Sequence, residues 1–216
     1  MSEETLAAFD ARMKAELPER RRSVDAQWPG LGPRIGIPQR LLDASFWDHD
    51  AKLTAALKRA EEFMDRGEYD LGDCLVLTGP TGVGKTWAAA AALRAAYGTP
   101  RRFWYFPGLC GALLNPETRA EALDRAKHVP FAVFDDFGVE YVKEGGLIDT
   151  FLDEIVWTRE ANYHATIITT NLTTDALRAR LPARLVDRLA GEWGHVYECP
   201  GESLRVTPRR DAEEGP

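Results

Sequence analysis

Eight consecutive residues, Gly79-Pro80-Thr81-Gly82-Val83-Gly84-Lys85-Thr86, fit the pattern GxxxxGK[ST]. Residues of these types at this spacing suit one task, holding the phosphates of a nucleotide. Glycines let successive backbone N–H groups turn toward an anion, and a helix that starts at the lysine adds positive potential there. Lys85 is expected to reach the β- and γ-phosphates of ATP, and Thr86 to ligate Mg²⁺. A chance glycine-rich turn needs no particular flanks, whereas this loop has the two it requires. The preceding CLVLT, Cys74–Thr78, reads as a short buried strand, and Lys85–Tyr97 as an alanine-rich helix ending at Gly98.

Such a site also needs a carboxylate for the metal. Phe131-Ala132-Val133-Phe134 runs into Asp135-Asp136, so Asp135 should emerge at the carboxyl end of a buried strand. In an open α/β sheet that edge carries the ligand crevice. Asp135 is expected to hold Mg²⁺ through water, and Asp136 to orient or polarise the attacking water. Alone, a pair of acids after a strand reads as a turn; beside the phosphate loop it reads as a metal site. A third group is Asn171 in Thr169-Thr170-Asn171, at the end of another apolar run. Its two readings are a polar group between the γ-phosphate and Asp135, and a plain N-cap for the next helix. The company of the other motifs favours the first.

These residues must be positioned by alternating elements. Helical patterning over His49–Arg66 places Leu53, Leu57 and Ala60 on one face, with Gly67 as its C-cap. After Cys74–Thr78 and its helix come a strand at Arg102–Phe106, a broken helical region to Lys127, and a strand at Phe131–Asp135. A helix follows at Leu147–Ala161, then a strand at Thr166–Thr170, an arginine-rich helical stretch over Asp175–Leu189 and a fifth strand at His195–Cys199. Strands alternating with helices predict a five-stranded parallel sheet covered by helices on both faces. Upstream, Leu6, Phe9, Met13 and Leu17 form a narrow apolar helical stripe. Three prolines and three glycines between Trp28 and Arg40 then predict a linker without regular helix.

The 216 residues suit one domain with a short appendage. A net charge of −7 argues against a protein that coats duplex DNA, and leaves nucleic acid only a local groove. Cys74, Cys110 and Cys199 form no CxxC pair, which disfavours a disulfide scaffold or a zinc module. With a polar, acidic N-terminus and no long apolar run, the expectation is a cytoplasmic protein without membrane contact.

The ordered set GPTGVGKT, FAVFDDFG, TTN and RLVDRL resembles the AAA+ ATPases of the DnaC/IstB type, replicative helicase loaders and transposition helpers. Gly36-Ile37-Pro38-Gln39-Arg40 with Ser45-Phe46 resembles the family's opening GIPxR…SF, and Gly201-Glu202-Ser203-Leu204-Arg205 its closing G-x-S/D-Y-R, with leucine for the usual aromatic. The resemblance implies a P-loop NTPase fold with an AAA+ core over 35–207 and no separate helical lid domain. It leaves an N-terminal helical segment and linker, 1–34, for partner binding, and a disordered tail at 208–216. It implies Asn171 as sensor 1 and Arg188 as an arginine finger completing a neighbour's ATP site, with Arg184 as second choice. The partners implied are a replicative helicase or a transposase, single-stranded DNA, and further copies of the chain upon ATP or DNA binding. A helicase loader is the leading expectation, with a transposition helper on the same engine as its close rival. A small metabolite kinase would leave TTN and RLVDRL without a task, and a slow nucleotide-gated adaptor differs only in turnover. Asp136 stands where the second acid is often glutamate, and its shorter arm is expected to slow hydrolysis. Arg101-Arg102-Phe103-Trp104-Tyr105-Phe106 mixes cations with aromatics as a single-strand platform would, but must also serve as the second strand, so its aromatics are expected mainly in the core.

Overall fold

The structure, a computed structural model, describes residues 25–47, 54–138 and 146–204. The stripe at Leu6–Leu17, Leu53, the segment 139–145, Arg205 and the tail lie outside the described residues. Five parallel strands form one sheet in the order β2-β3-β4-β1-β5. They are β1 (Cys74–Thr78), β2 (Arg101–Tyr105), β3 (Phe131–Asp135), β4 (Ala165–Thr169) and β5 (Gly194–Glu198). Each lies within a residue of its expected place. Strands β1, β3 and β4 are buried along their whole length, which is why they read as unbroken apolar runs rather than alternating ones.

Side chains of successive strand residues go to opposite faces. Leu75, Leu77, Phe131, Val133 and Ile167 pack in one core layer, whereas Val76, Ala132, Phe134 and Ile168 pack in the other. Helix α4 (Lys85–Ala95) covers the first face, with five consecutive buried alanines, Ala88 to Ala92, that let it lie close to the sheet. It packs in turn against α2 (Ala55–Asp65). Thr54 caps α2 by accepting the Leu57 amide at 3.0 Å, and Gly67 follows its end with φ 83°. The single turn α3 (Glu68–Leu71) then leads to β1. The other face carries α5 (Phe106–Leu114), α6 (Arg119–His128), α7 (Leu147–Ala161) and α9 (Ala183–Leu189), with α8 (Thr174–Arg180) before the last.

The linker expected between Trp28 and Arg40 is not what forms. Residues 25–34 are helical (α1), and Trp28 is 2% exposed in the first core layer, its indole N–H donating to Leu42 O at 2.7 Å. Burial of a large aromatic outweighs the two rungs that Pro29 and Pro33 remove. Gly32 is there for close approach: a Cβ would lie 2.6 Å from Leu42 and 3.4 Å from Trp28. Breaker residues thus mark a tightly packed helix, and Arg94 paired with Asp25 ties it to α4.

Arg159 on α7 is fully buried. It donates to Thr166 Oγ1 (2.8 Å), to the Ala126 and Val129 carbonyls (both 2.9 Å) and to Ala165 O (2.7 Å), so one guanidinium ties α7, β4 and the end of α6 together. Burial pulls its pKa down to about 9, which leaves it charged at neutral pH.

Candidate active site

Because all five strands are parallel, their carboxyl ends gather on one edge of the sheet. The loop between β1 and α4 lies on that edge. Gly84 is the N-cap of α4 with φ 92°, without side-chain capping and with no acid in the first turn. Gly84 thus offers the leading amides of this eleven-residue helix no capping side chain, an arrangement that favours an anion there. At Gly82, φ 92°, a Cβ would fall 2.1 Å from Ser203 Oγ, so only glycine admits the segment 201–204 that closes over the loop. There the Leu204 amide donates to Gly82 O at 3.0 Å.

Lys85 is 5% exposed, and its ammonium donates to Gly79 O (2.7 Å), Pro80 O (2.8 Å) and Asn171 Oδ1 (3.1 Å). Asn171 Nδ2 in turn donates to Asp136 Oδ1 at 3.2 Å. Asn171 is not the N-cap of α8, because that cap is Thr173, whose hydroxyl accepts the Ala176 amide at 3.2 Å. Asp135 is 3% exposed and accepts from Thr169 Oγ1 at 2.6 Å. Burial holds its carboxyl above the usual range, opposed by hydrogen bonds from Thr169 and Thr86 and by the nearby charge of Arg40. Asp136 takes the left-handed conformation, φ 59°, which aspartate tolerates better than most residues, and its amide donates to Thr169 Oγ1 at 3.1 Å.

One cavity of about 610 Å³ opens on these groups, in the size range of small-ligand sites. Thr81, Gly82, Gly84, Lys85, Thr86, Asp136 and Asn171 line its polar end, and Leu41, Leu57, Trp87 and Leu204 its apolar end. The apolar walls suit a flat heterocycle, and the polar end suits phosphates. Val83 turns away into the core. The donors also fit a magnesium ion, because the Thr86 hydroxyl and the Asp135 carboxylate are oxygen ligands already in contact. Among the described residues no group of three or more His, Cys, Asp or Glu side chains could hold a metal by itself, so the ion fits together with the phosphates.

The structure thus gathers the loop residues 79–86, Asp135, Asp136 and Asn171. Arg188 and Arg184 are elsewhere, on α9: Arg188 is paired with Glu160 and Arg184 with Asp153 at 2.9 Å, both partners on α7. Neither arginine lines the cavity. Three residues were not singled out for the site by motif reading. Thr169 bridges the two acids, Arg40 lines the cavity near Asp135, and Leu204 closes over the loop. All three lie inside segments with recognisable patterns, but a strand threonine carries no signal of its own.

A scan against models of known protein families finds no match. Over 220 residues, 86% of this chain and 84% of the other, the chain is 30% identical to a Sinorhizobium fredii protein named as an insertion sequence ATP-binding protein, y4pL. The crystal structure of DnaI superposes with a TM-score of 0.66 at 29% identity, covering 79% of this chain and 95% of that one. The DnaC helicase loader superposes with a TM-score of 0.63 over 76% of this chain and 100% of its own, and at 24% identity it supports the fold alone. Among the described residues no helix is long and apolar enough to cross a membrane. With the five-stranded order, the phosphate loop and the acid pair in place, the chain belongs to the AAA+ ATPases of the DnaC/IstB type.

Proposed function

We propose that the chain binds and hydrolyses ATP at the Lys85 cavity and uses the cycle to serve a transposase on DNA. The observation that carries hydrolysis is the hydrogen-bonded path Lys85–Asn171–Asp136 beside buried Asp135. It couples the group that would hold the γ-phosphate to the acid that would position water. Lys85 and the first amides of α4 hold the phosphates. Thr86 and Asp135 would hold Mg²⁺, which supplies neutralisation of phosphate charge. Asp136, aimed by Asn171 and Thr169, orients the water that attacks the γ-phosphorus, and the bond to the β-phosphate oxygen breaks to release ADP and phosphate.

Arg188 is assigned to a second copy's site rather than its own, because it sits on α9 and outside the cavity. To act there it must leave Glu160. The N-terminal segment is assigned to the client protein. The insertion-sequence relative, matched over most of both chains, favours a transposase as that client; the likeness to DnaI favours a replicative helicase as the second reading.

The test has two arms. Calorimetry with ATP and Mg²⁺ should show binding to the native chain and loss of tight binding in Lys85→Ala with the fold intact; undiminished affinity would reject the site. Affinity capture from the native host should retain a transposase. A hexameric helicase in its place would select the second reading.

A further inference from the structure

The Lys85 cavity has a second cation on its wall. Among the described residues Lys85 and Arg40 are the two that line it, Arg40 in company with Thr86, Asp136 and Asn171. Lys85 is already committed, to the Gly79 and Pro80 carbonyls and to Asn171. The Arg40 side chain is exposed and has no hydrogen-bond or ion-pair partner among the described residues. Its charge nevertheless reaches the Asp135 carboxyl at the end of β3.

The backbone beneath this arm is fixed. Gln39–Leu41 form one 3₁₀ turn, and Leu41 is buried in the first core layer with Ile37. Upstream, Ile35 O accepts the Phe103 amide of β2 at 2.8 Å, and at Gly36, φ 94°, a Cβ would fall 2.3 Å from Phe103 O. Downstream, Leu42 O holds the Trp28 indole. Packing therefore places Arg40 on a rigid turn beside the acids, with every guanidinium N–H left to give.

A triphosphate brings more negative charge than Mg²⁺ and Lys85 offset, and the carboxylates of Asp135 and Asp136 add to it. Asp135 marks the end of the cavity where the terminal phosphate would lie, and Arg40 is the free charge at that end. We propose that Arg40 binds the γ-phosphate within its own subunit and makes the site prefer ATP to ADP. Its planar fork can take two phosphate oxygens at once. The inference rests on the proposed ATP site. It is separate from the role assigned to Arg188, which acts on a second copy.

The test is displacement of a fluorescent ADP from the full chain, with Mg²⁺ present, by ADP or by a non-hydrolysable ATP analogue. Arg40→Gln should weaken the analogue about tenfold and leave ADP within about twofold of native, because ADP has no phosphate at that position. Arg40→Lys, a point charge without the fork, should restore part of the loss. Melting temperature should stay native in both variants, since the side chain is exposed. An equal loss for ADP and the analogue would overturn the proposal, because Arg40 would then touch the base or the inner phosphates. An analogue-to-ADP ratio unmoved by Arg40→Gln would overturn it too, with the ATP site left standing. A native chain that binds neither nucleotide would reject the site and the inference together.

Discussion

Thr169 is the hinge of the acid pair, and Thr169→Val removes its hydroxyl at nearly constant volume. Two interactions go with it: the 2.6 Å hydrogen bond to the Asp135 carboxylate and the 3.1 Å acceptor for the Asp136 amide. A bond to a charged group is worth about 1.5–3 kcal/mol and a neutral one about 1 kcal/mol, so the loss should be about 2–4 kcal/mol. Against a total of about 5–15 kcal/mol the variant stays folded with a lower urea midpoint. The functional effect follows from Asp135. Burial raises its pKa above the unfolded value, and the Thr169 hydrogen bond works against that rise. The folded chain therefore holds this proton more tightly than the unfolded chain, and the Asp135 contribution to stability falls as pH rises from the ordinary aspartate range through the raised pKa. Metal binding needs the proton-free carboxylate, so Mg²⁺-dependent ATP affinity should increase with pH through the same window. In Thr169→Val that window moves to higher pH, and Thr169→Ser, which keeps the hydroxyl, should restore it. A Thr169→Val protein with native stability and an unshifted pH profile would refute the reasoning.

Two further outcomes are expected. Arg188→Ala should leave ATP affinity of the single subunit nearly native but remove turnover that rises with protein concentration; a trans arginine is worth roughly 10³–10⁵ in rate in well-tuned enzymes, and the low end or below is expected with Asp136 in the water-positioning place. Mixing it with Lys85→Ala should recover part of the activity, and a dead mixture of proteins that co-assemble would move the role to Arg184. Arg159→Leu should cost at least about 4 kcal/mol, because the buried carbonyls of Ala126 and Ala165 and the partly buried one of Val129 lose their donor; urea unfolding within about 1 kcal/mol of native would show that those groups find other donors.

Motif residues were legible because their chemistry forces type and spacing together. The glycines of 79–84 and the strand-end position of Asp135 are required by backbone geometry, so a linear pattern suffices to locate them. The strands were legible for the related reason that a doubly covered sheet needs unbroken apolar runs. What escaped is what depends on distant partners. Nothing local to Trp28 announces that Leu42 and Gly32 wait to receive it, so prolines and glycines read as a linker where a packed helix forms. Arg159 looks like any charge on a helix until four acceptors, from β4 and the end of α6, converge on it. Asn171 has two readings in the sequence, and only its N-cap reading is excluded, by Thr173, which caps α8.

The most direct test of the account is phosphate release by Asp136→Asn at saturating ATP, with nucleotide affinity measured on the same protein. Asp136 lies at the end of the Lys85–Asn171 path and beside, not in, the pair proposed to hold the metal, Thr86 and Asp135. The account predicts affinity within about threefold of native and turnover lower by roughly 10²–10⁴, the usual worth of a positioned base. Native turnover in Asp136→Asn would contradict it.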